Sequence, residues 1–140
     1  MDPLPKKNSA TAPTIQISWG ELVDRITILE IKMQRLNSKG AIENVGRELA
    51  MLNSIANDGL SRRPDVESLK QQLRSVNEAL WDIEDKIRAK EEAKSFDQEF
   101  IALARSVYMD NDKRGNLKRQ INALLNSDLV EEKQYTPYSA

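Results

Sequence analysis

The sequence predicts an all-α fold, an antiparallel helical bundle in which a long hairpin (about 64–93 and 96–126) carries a shorter one (about 19–37 and 41–56) packed on it. Three observations carry this reading. Apolar residues recur at steps of three and four through most of the chain, the spacing of one helix face. No segment alternates apolar and polar residues for more than three or four positions. Polar breaks at Asn37, Ser38 and Gly40, at Asn57, Asp58 and Gly59, and around Lys94 divide the periodic stretch into four.

Residues 1–14 hold Pro3, Pro5 and Pro13 among Lys6, Lys7 and small polar residues. Such a composition buries little surface and reads as a flexible N-terminal arm. Residues 15–138 form a single helical domain, entered by a short extended piece in which Ile15 and Ile17 alternate with polar neighbours. Ser18 and Glu21 make a capping box at the start of the first helix. Leu22, Ile26, Leu29, Met33 and Leu36 then form its stripe, while Val23, Ile28 and Ile31 give it a second apolar edge. A helix apolar on two sides is buried on two sides, so it is either central in the bundle or in contact with another chain. The second helix turns Ile42, Val45, Leu49, Leu52 and either Ile55 or Ala56 inward. Pro64 suits the first position of the third helix, whose Val66, Leu69, Leu73, Val76, Leu80, Ile83 and Ile87 run without a fault for three heptads, coiled-coil fashion. Ser95 and Gln98 form a second capping box before the fourth helix, with Phe96, Phe100, Leu103, Val107, Leu117, Ile121 and Leu124 on one face. From about residue 127 the tail is non-periodic.

Composition narrows the chemistry. The 140 residues include no cysteine and no histidine. A thiol nucleophile, a Ser-His-Asp triad, a typical zinc site and a Glu-x-x-His di-iron site are thereby excluded. No cofactor and no metal are implied. Lysine and arginine number 21 against 22 acidic residues, for a net charge of -1, so there is no long-range pull toward nucleic acid or anionic lipid. No run approaches the ~20 apolar residues needed to cross a bilayer. The absence of cysteine and of an apolar leader fits a cytoplasmic protein.

The strongest local anomaly is Asp110 and Arg114, which occupy stripe positions of the fourth helix that should be apolar. Four residues apart, they can pair with each other. Three readings stay open: a buried structural pair, a helix that breaks near Asn111, or a polar pocket between helices. With the hairpin turning near Lys94, they lie opposite Val76 and Leu80, beside Asn77 and Trp81. The ligand-binding candidates are therefore Trp81, Arg105, Tyr108, Asp110, Asn111, Arg114, Lys118 and Arg119. Arginine grips phosphate or carboxylate by its fork and lysine as a point charge. The basic run 113–119 and the acidic run 82–85 are expected on facing helices, with Asp82 paired to Lys86 and Glu84 to Arg88. Val23, Ile28 and Ile31 are the interface candidates.

Four strings resemble an uncharacterised bacterial domain family of unknown function: SWGELVDRITILEIK (18–32), LWDIEDKIR (80–88), LARSVYMDNDKRGNLKRQIN (103–122) and LVEEKQY (129–135). The resemblance spans about residues 15–138. It implies a setting beside glycosyltransferase or tetratricopeptide segments and an accessory place in surface-polysaccharide or glycan assembly, with no catalytic residue to carry over.

Three functions follow as expectations. The first is a non-catalytic interaction or assembly module, with a protein partner or a homodimer. The second is a module binding a small anionic molecule in an inter-helix pocket: a phosphate, a carboxylate or a sugar nucleotide. The third is a small histidine-free helical enzyme of chorismate-mutase type, only faintly echoed by Asp24, Arg25, Glu30 and Lys32.

Overall fold

Local signals start each helix, and tertiary contacts decide where some of them end. The computed structural model describes residues 11–60 and 63–139. Among these are four helices and no strand: α1 (Trp19–Arg35), α2 (Lys39–Leu60), α3 (Pro64–Glu92) and α4 (Gln98–Leu124). The all-α bundle expected from the periodicity is the fold observed. Most of the N-terminal arm, residues 1–10, lies outside the described residues. None of the described helices is long and apolar enough to cross a membrane.

Ser18 caps α1, its Oγ accepting from the Glu21 N–H at 3.1 Å. Only half of the expected capping box forms, because the Glu21 carboxylate is drawn away to Lys118. α2 runs on through Asn57, Asp58 and Gly59 to Leu60, past the expected stop. Packing overrides the turn signal there. Leu60 joins both core clusters, and Gly59 lies against Trp19 so closely that a Cβ would fall 2.4 Å from the indole. α4 is capped by Asp97 rather than by Ser95. Asp97 Oδ1 accepts from the Phe100 N–H at 2.9 Å, while Ser95 donates to its other oxygen at 3.2 Å. A carboxylate serves a helix N-terminus better than a hydroxyl because its charge also meets the dipole. The Lys90 ammonium and the Phe100 amide hold this carboxyl down at about 2.

α1 is the central helix, in contact with α2, α3 and α4. Leu22 and Ile26 pack against Ala56 of α2, with Leu49 and Leu52 at the margin. Val23, on the other side, joins Leu69 and Leu73 of α3 and Leu117 and Ile121 of α4. The second apolar edge of α1 is thus used within the chain. Val23 is fully buried, which corrects its candidacy as an interface residue, while Ile31, just as buried, backs the wall of a groove described below. Ile28 is only half-buried.

α3 and α4 form the expected antiparallel hairpin, closed across its tip by Lys90 with Asp97 and Glu99 at 2.8 and 3.0 Å. α1 runs antiparallel to α4: Gly20 meets Asn122, Asp24 meets Arg114, and Ile28 and Ile31 share a groove with Val107 and Asn111. At 17 residues against 29, α1 is the shorter by about 18 Å of rise. The hairpin therefore reaches past it. The buried residues of α3 end at Asn77 and those of α4 begin at Gly115. No residue between 78 and 114 is fully buried.

Beyond Leu124 the tail has no regular secondary structure, yet it is placed. It folds back along α4, with Glu131 at Lys118, Lys133 over Gly115, and Tyr138 at Asp112.

Candidate functional site

The centre of the molecule holds a charge that the helix pattern conceals. Asp24 is 1 % exposed. It lies on the α1 face traced by Gly20, Asp24, Thr27 and Ile31, which are all buried. Arg114 reaches it from α4 with both ends of its fork, Nε donating to Oδ1 at 2.8 Å and Nη2 to Oδ2. Asn77 of α3 donates its Nδ2 to Asp24 Oδ1 and to Thr27 Oγ1, each at 2.9 Å. The Thr27 hydroxyl in turn donates to the Asp24 carbonyl at 2.7 Å. Three helices are locked together by one satisfied polar knot. A buried carboxylate is tolerated only on such terms. The bonds to Asp24 raise the Arg114 pKa above its ordinary value.

One turn toward the C-terminus of α4, Lys118 is 5 % exposed. Its ammonium donates to Glu21 of α1 at 2.7 Å, and the Glu131 carboxylate of the tail closes on it as an ion pair. Burial pulls this ammonium down, but the contacts with Glu131 and Glu21 outweigh it and leave the pKa raised. The same Lys118 contact holds the Glu131 carboxyl below its ordinary range. A depressed carboxyl stabilises the docked tail above its unfolded pKa and ceases to do so as the pH falls through the folded one. Tail docking is therefore expected to be complete at neutral pH and to weaken as the pH drops below about 4.5, the ordinary glutamate value. Amide hydrogen exchange across residues 127–139 at stepped pH measures this. Glu131→Gln should flatten the dependence, and an unchanged profile in that variant would refute it.

Of the three readings left open for Asp110 and Arg114, the pair between them is not formed. Arg114 turns to α1, and Asp110, partly buried, pairs with Lys113 at 3.6 Å. α4 is also unbroken through Asn111. The two charged runs do lie on the paired helices α3 and α4, but they do not pair with each other. The basic run finds its acids on α1 and the tail, through Arg114–Asp24, Lys118–Glu21 and Lys118–Glu131. In the acidic run, Glu84 does pair with Arg88 at 2.6 Å. Asp82 instead binds Arg35 of α1 at 2.6 Å, whose guanidinium also lies 5.8 Å from the Trp81 ring centroid.

Just outside the polar knot, where the end of α1 meets the hairpin, lies a groove of about 530 Å³. Ile28, Ile31, Leu80, Trp81 and Val107 give it apolar walls, Asn77, Asn111 and Arg114 its polar floor, and Glu84, Asp85 and Arg88 its rim. Of the eight ligand candidates it gathers Trp81, Asn111 and Arg114. Tyr108 and Arg119 line a different cavity, between α4 and the tail. Lys118 is consumed beneath the tail, and Arg105 and Asp110 line neither. The candidates thus divide over two faces of α4. Sequence reasoning missed Asp24 as the partner of Arg114, and Glu21 and Glu131 as those of Lys118. A signal for Asp24 was present: a helix apolar on two sides leaves little room for a charge between them to reach solvent.

Charge decides what the groove suits. Arg114 is neutralised by Asp24 and Arg88 by Glu84, while Asp85 adds a further negative charge at the rim. An anionic ligand finds no uncommitted cation there. Apolar surface is what the groove offers, continuous with the half-buried seam of Ile83, Ile87, Phe100 and Leu103 along the hairpin arm.

No curated protein and no solved structure matches the chain. Residues 14–140 match the family of unknown function DUF6165, and to that family the chain belongs.

Proposed function

We propose that the protein is a non-catalytic interaction module that self-associates through its hairpin arm. The observation that carries this reading is the stretch from 78 to 114, where two amphipathic helices pair and bury no residue fully. A two-helix seam has an open side. In a four-helix bundle a second hairpin closes it, and a two-fold pair needs one self-complementary surface. The arm offers both halves. Its tip projects Phe96, 55 % exposed, edge-on to Phe100 at 5.1 Å. Its root carries the apolar groove, about 20 Å away along α3. Two arms laid antiparallel place each aromatic tip at the other's groove. The glycan-assembly setting implied by the resemblance has no feature of this groove behind it.

The charges of the arm make the test specific. Residues 78–107 hold eight acidic side chains (Glu78, Asp82, Glu84, Asp85, Glu91, Glu92, Asp97, Glu99) against five basic ones (Lys86, Arg88, Lys90, Lys94, Arg105). Two like-charged arms repel weakly, and salt screens that repulsion. Association is expected to tighten as salt rises, the reverse of an ion-paired interface. Sedimentation equilibrium should show a dimer that is strengthened between about 0.05 and 0.5 M salt. Ile87→Glu and Leu103→Glu should each weaken it at least ~10-fold, since each forces a charge into the closed seam. Both residues lie on the arm beyond the buried core, so helical content by circular dichroism should hold. A monomer at about 0.5 mM protein, where even a weak specific pair would form, sinks the reading.

A further inference from the structure

We propose that the cavity between α4 and the C-terminal tail is a binding site for a phosphorylated small molecule that carries a flat ring. This cavity lies on another face of α4 from the groove and stands independently of self-association. Its volume is about 680 Å³, within the range of sites that enclose a metabolite-sized ligand.

Its cations, Arg119 of α4 and Lys133 of the tail, are held less closely than Arg114 and Lys118. Arg114 and Lys118 are each held by a buried or half-buried carboxylate. Arg119 has only the Asn116 side-chain oxygen, at 3.5 Å, and among the described residues no carboxylate partner. Lys133 stands 4.0 Å from Glu131, whose charge is already shared with Lys118. The one acid lining the cavity, Asp112, is occupied by the Tyr138 hydroxyl, which donates to it at 2.8 Å. Two cations are thus available to one anion, Arg119 by its planar fork and Lys133 as a point charge.

The rest of the wall suits a ring. Tyr108 and Tyr138 meet edge to face with centroids 5.2 Å apart, and Tyr135 stands beside them, 77 % exposed. Each phenol presents a flat apolar surface with a polar tip. The floor at Gly115 has no side chain, and an added Cβ would come within 3.8 Å of Lys133 Nζ. A larger residue would fill the space in which the lysine acts. The tail brings Lys133, Tyr135 and Tyr138 to one face of α4, the face carrying Tyr108, Asp112, Gly115 and Arg119, and is itself fixed at both ends by the Glu131 and Tyr138 contacts.

Isothermal titration of the full chain with adenosine diphosphate, inorganic phosphate and adenosine tests the proposal. Adenosine diphosphate should bind tightest, at least ~10-fold better than either fragment, because it alone engages cations and rings together. Arg119→Met and Lys133→Met should each weaken it at least ~10-fold while leaving the thermal midpoint unchanged. Tyr135→Ala should weaken the diphosphate and leave inorganic phosphate as before. Absence of heat from all three probes overturns the site. Equal affinity for phosphate and the diphosphate overturns the ring half, and full binding by Arg119→Met and Lys133→Met overturns its location.

Discussion

Arg114→Met is expected to destabilise the fold by about 3–5 kcal/mol, because it removes one partner of a buried ion pair and strands the other. Asp24, 1 % exposed, would keep only Asn77 as a side-chain donor. For 140 residues, unfolding entropy per residue converts this to a fall of roughly 10–17 °C in thermal midpoint. The cause can be isolated. Asp24→Asn in the Arg114→Met background removes the stranded charge and retains an acceptor for Asn77, so the double variant should recover about 1 kcal/mol or more over Arg114→Met alone. Thermal and urea unfolding of the four proteins measure the cycle. A loss below about 1 kcal/mol for Arg114→Met would mean that the pair is not a keystone of the bundle. The result also bears on the groove. An arginine whose removal costs several kcal/mol of stability serves the fold, which agrees with a groove that offers apolar surface and no spare cation.

Gly20→Ala should be nearly as damaging, at about 3 kcal/mol, although alanine is the better helix former. A Cβ at position 20 would lie 2.4 Å from the Lys118 backbone carbonyl oxygen and 2.9 Å from Asn122 Oδ1. The backbone of α4 cannot step aside as a side chain could, so α1 and α4 must separate. Separation would stretch the Gly20 N–H bond to Asn122, 2.7 Å long, and the Asp24–Arg114 fork one turn away. Gly40→Ala is the control, because nothing lies within 4 Å of an added Cβ there. Gly40→Ala is expected to be neutral or slightly stabilising in the same thermal melts. Equal behaviour of the two variants would show that the close approach of α1 to α4 is not required.

Much of the fold was legible because it is local. Ser18 announced α1, Pro64 announced α3, and seven apolar residues from Val66 to Ile87 announced the long hairpin. Where the reading slipped, a distant contact had overruled a nearby signal. Asn57, Asp58 and Gly59 look like a stop, yet Trp19 and Leu60 hold α2 together across them. The candidate residues fared less evenly. Trp81, Asn111 and Arg114 do meet in one groove, as the hairpin register implied. Arg105, Tyr108, Asp110, Lys118 and Arg119 do not join them. Spacing along a helix tells which residues share a face, but not which neighbour that face meets.

By itself, then, the sequence determined an all-α chain without histidine or cysteine, the register of its long hairpin, and the oddity of charges on an apolar stripe. Its near-neutral total of 21 basic and 22 acidic residues left the partners of those charges open. Only the tertiary structure decided that Arg114 belongs to Asp24 and Lys118 to Glu21 and Glu131, while Arg119 has no carboxylate partner among the described residues and Lys133 of the tail meets only Glu131, at 4.0 Å. Helix periodicity reports burial around one axis. Charge pairing is settled by the distance and angle between axes, which a glycine at position 20 and a tail folded back along α4 set in three dimensions.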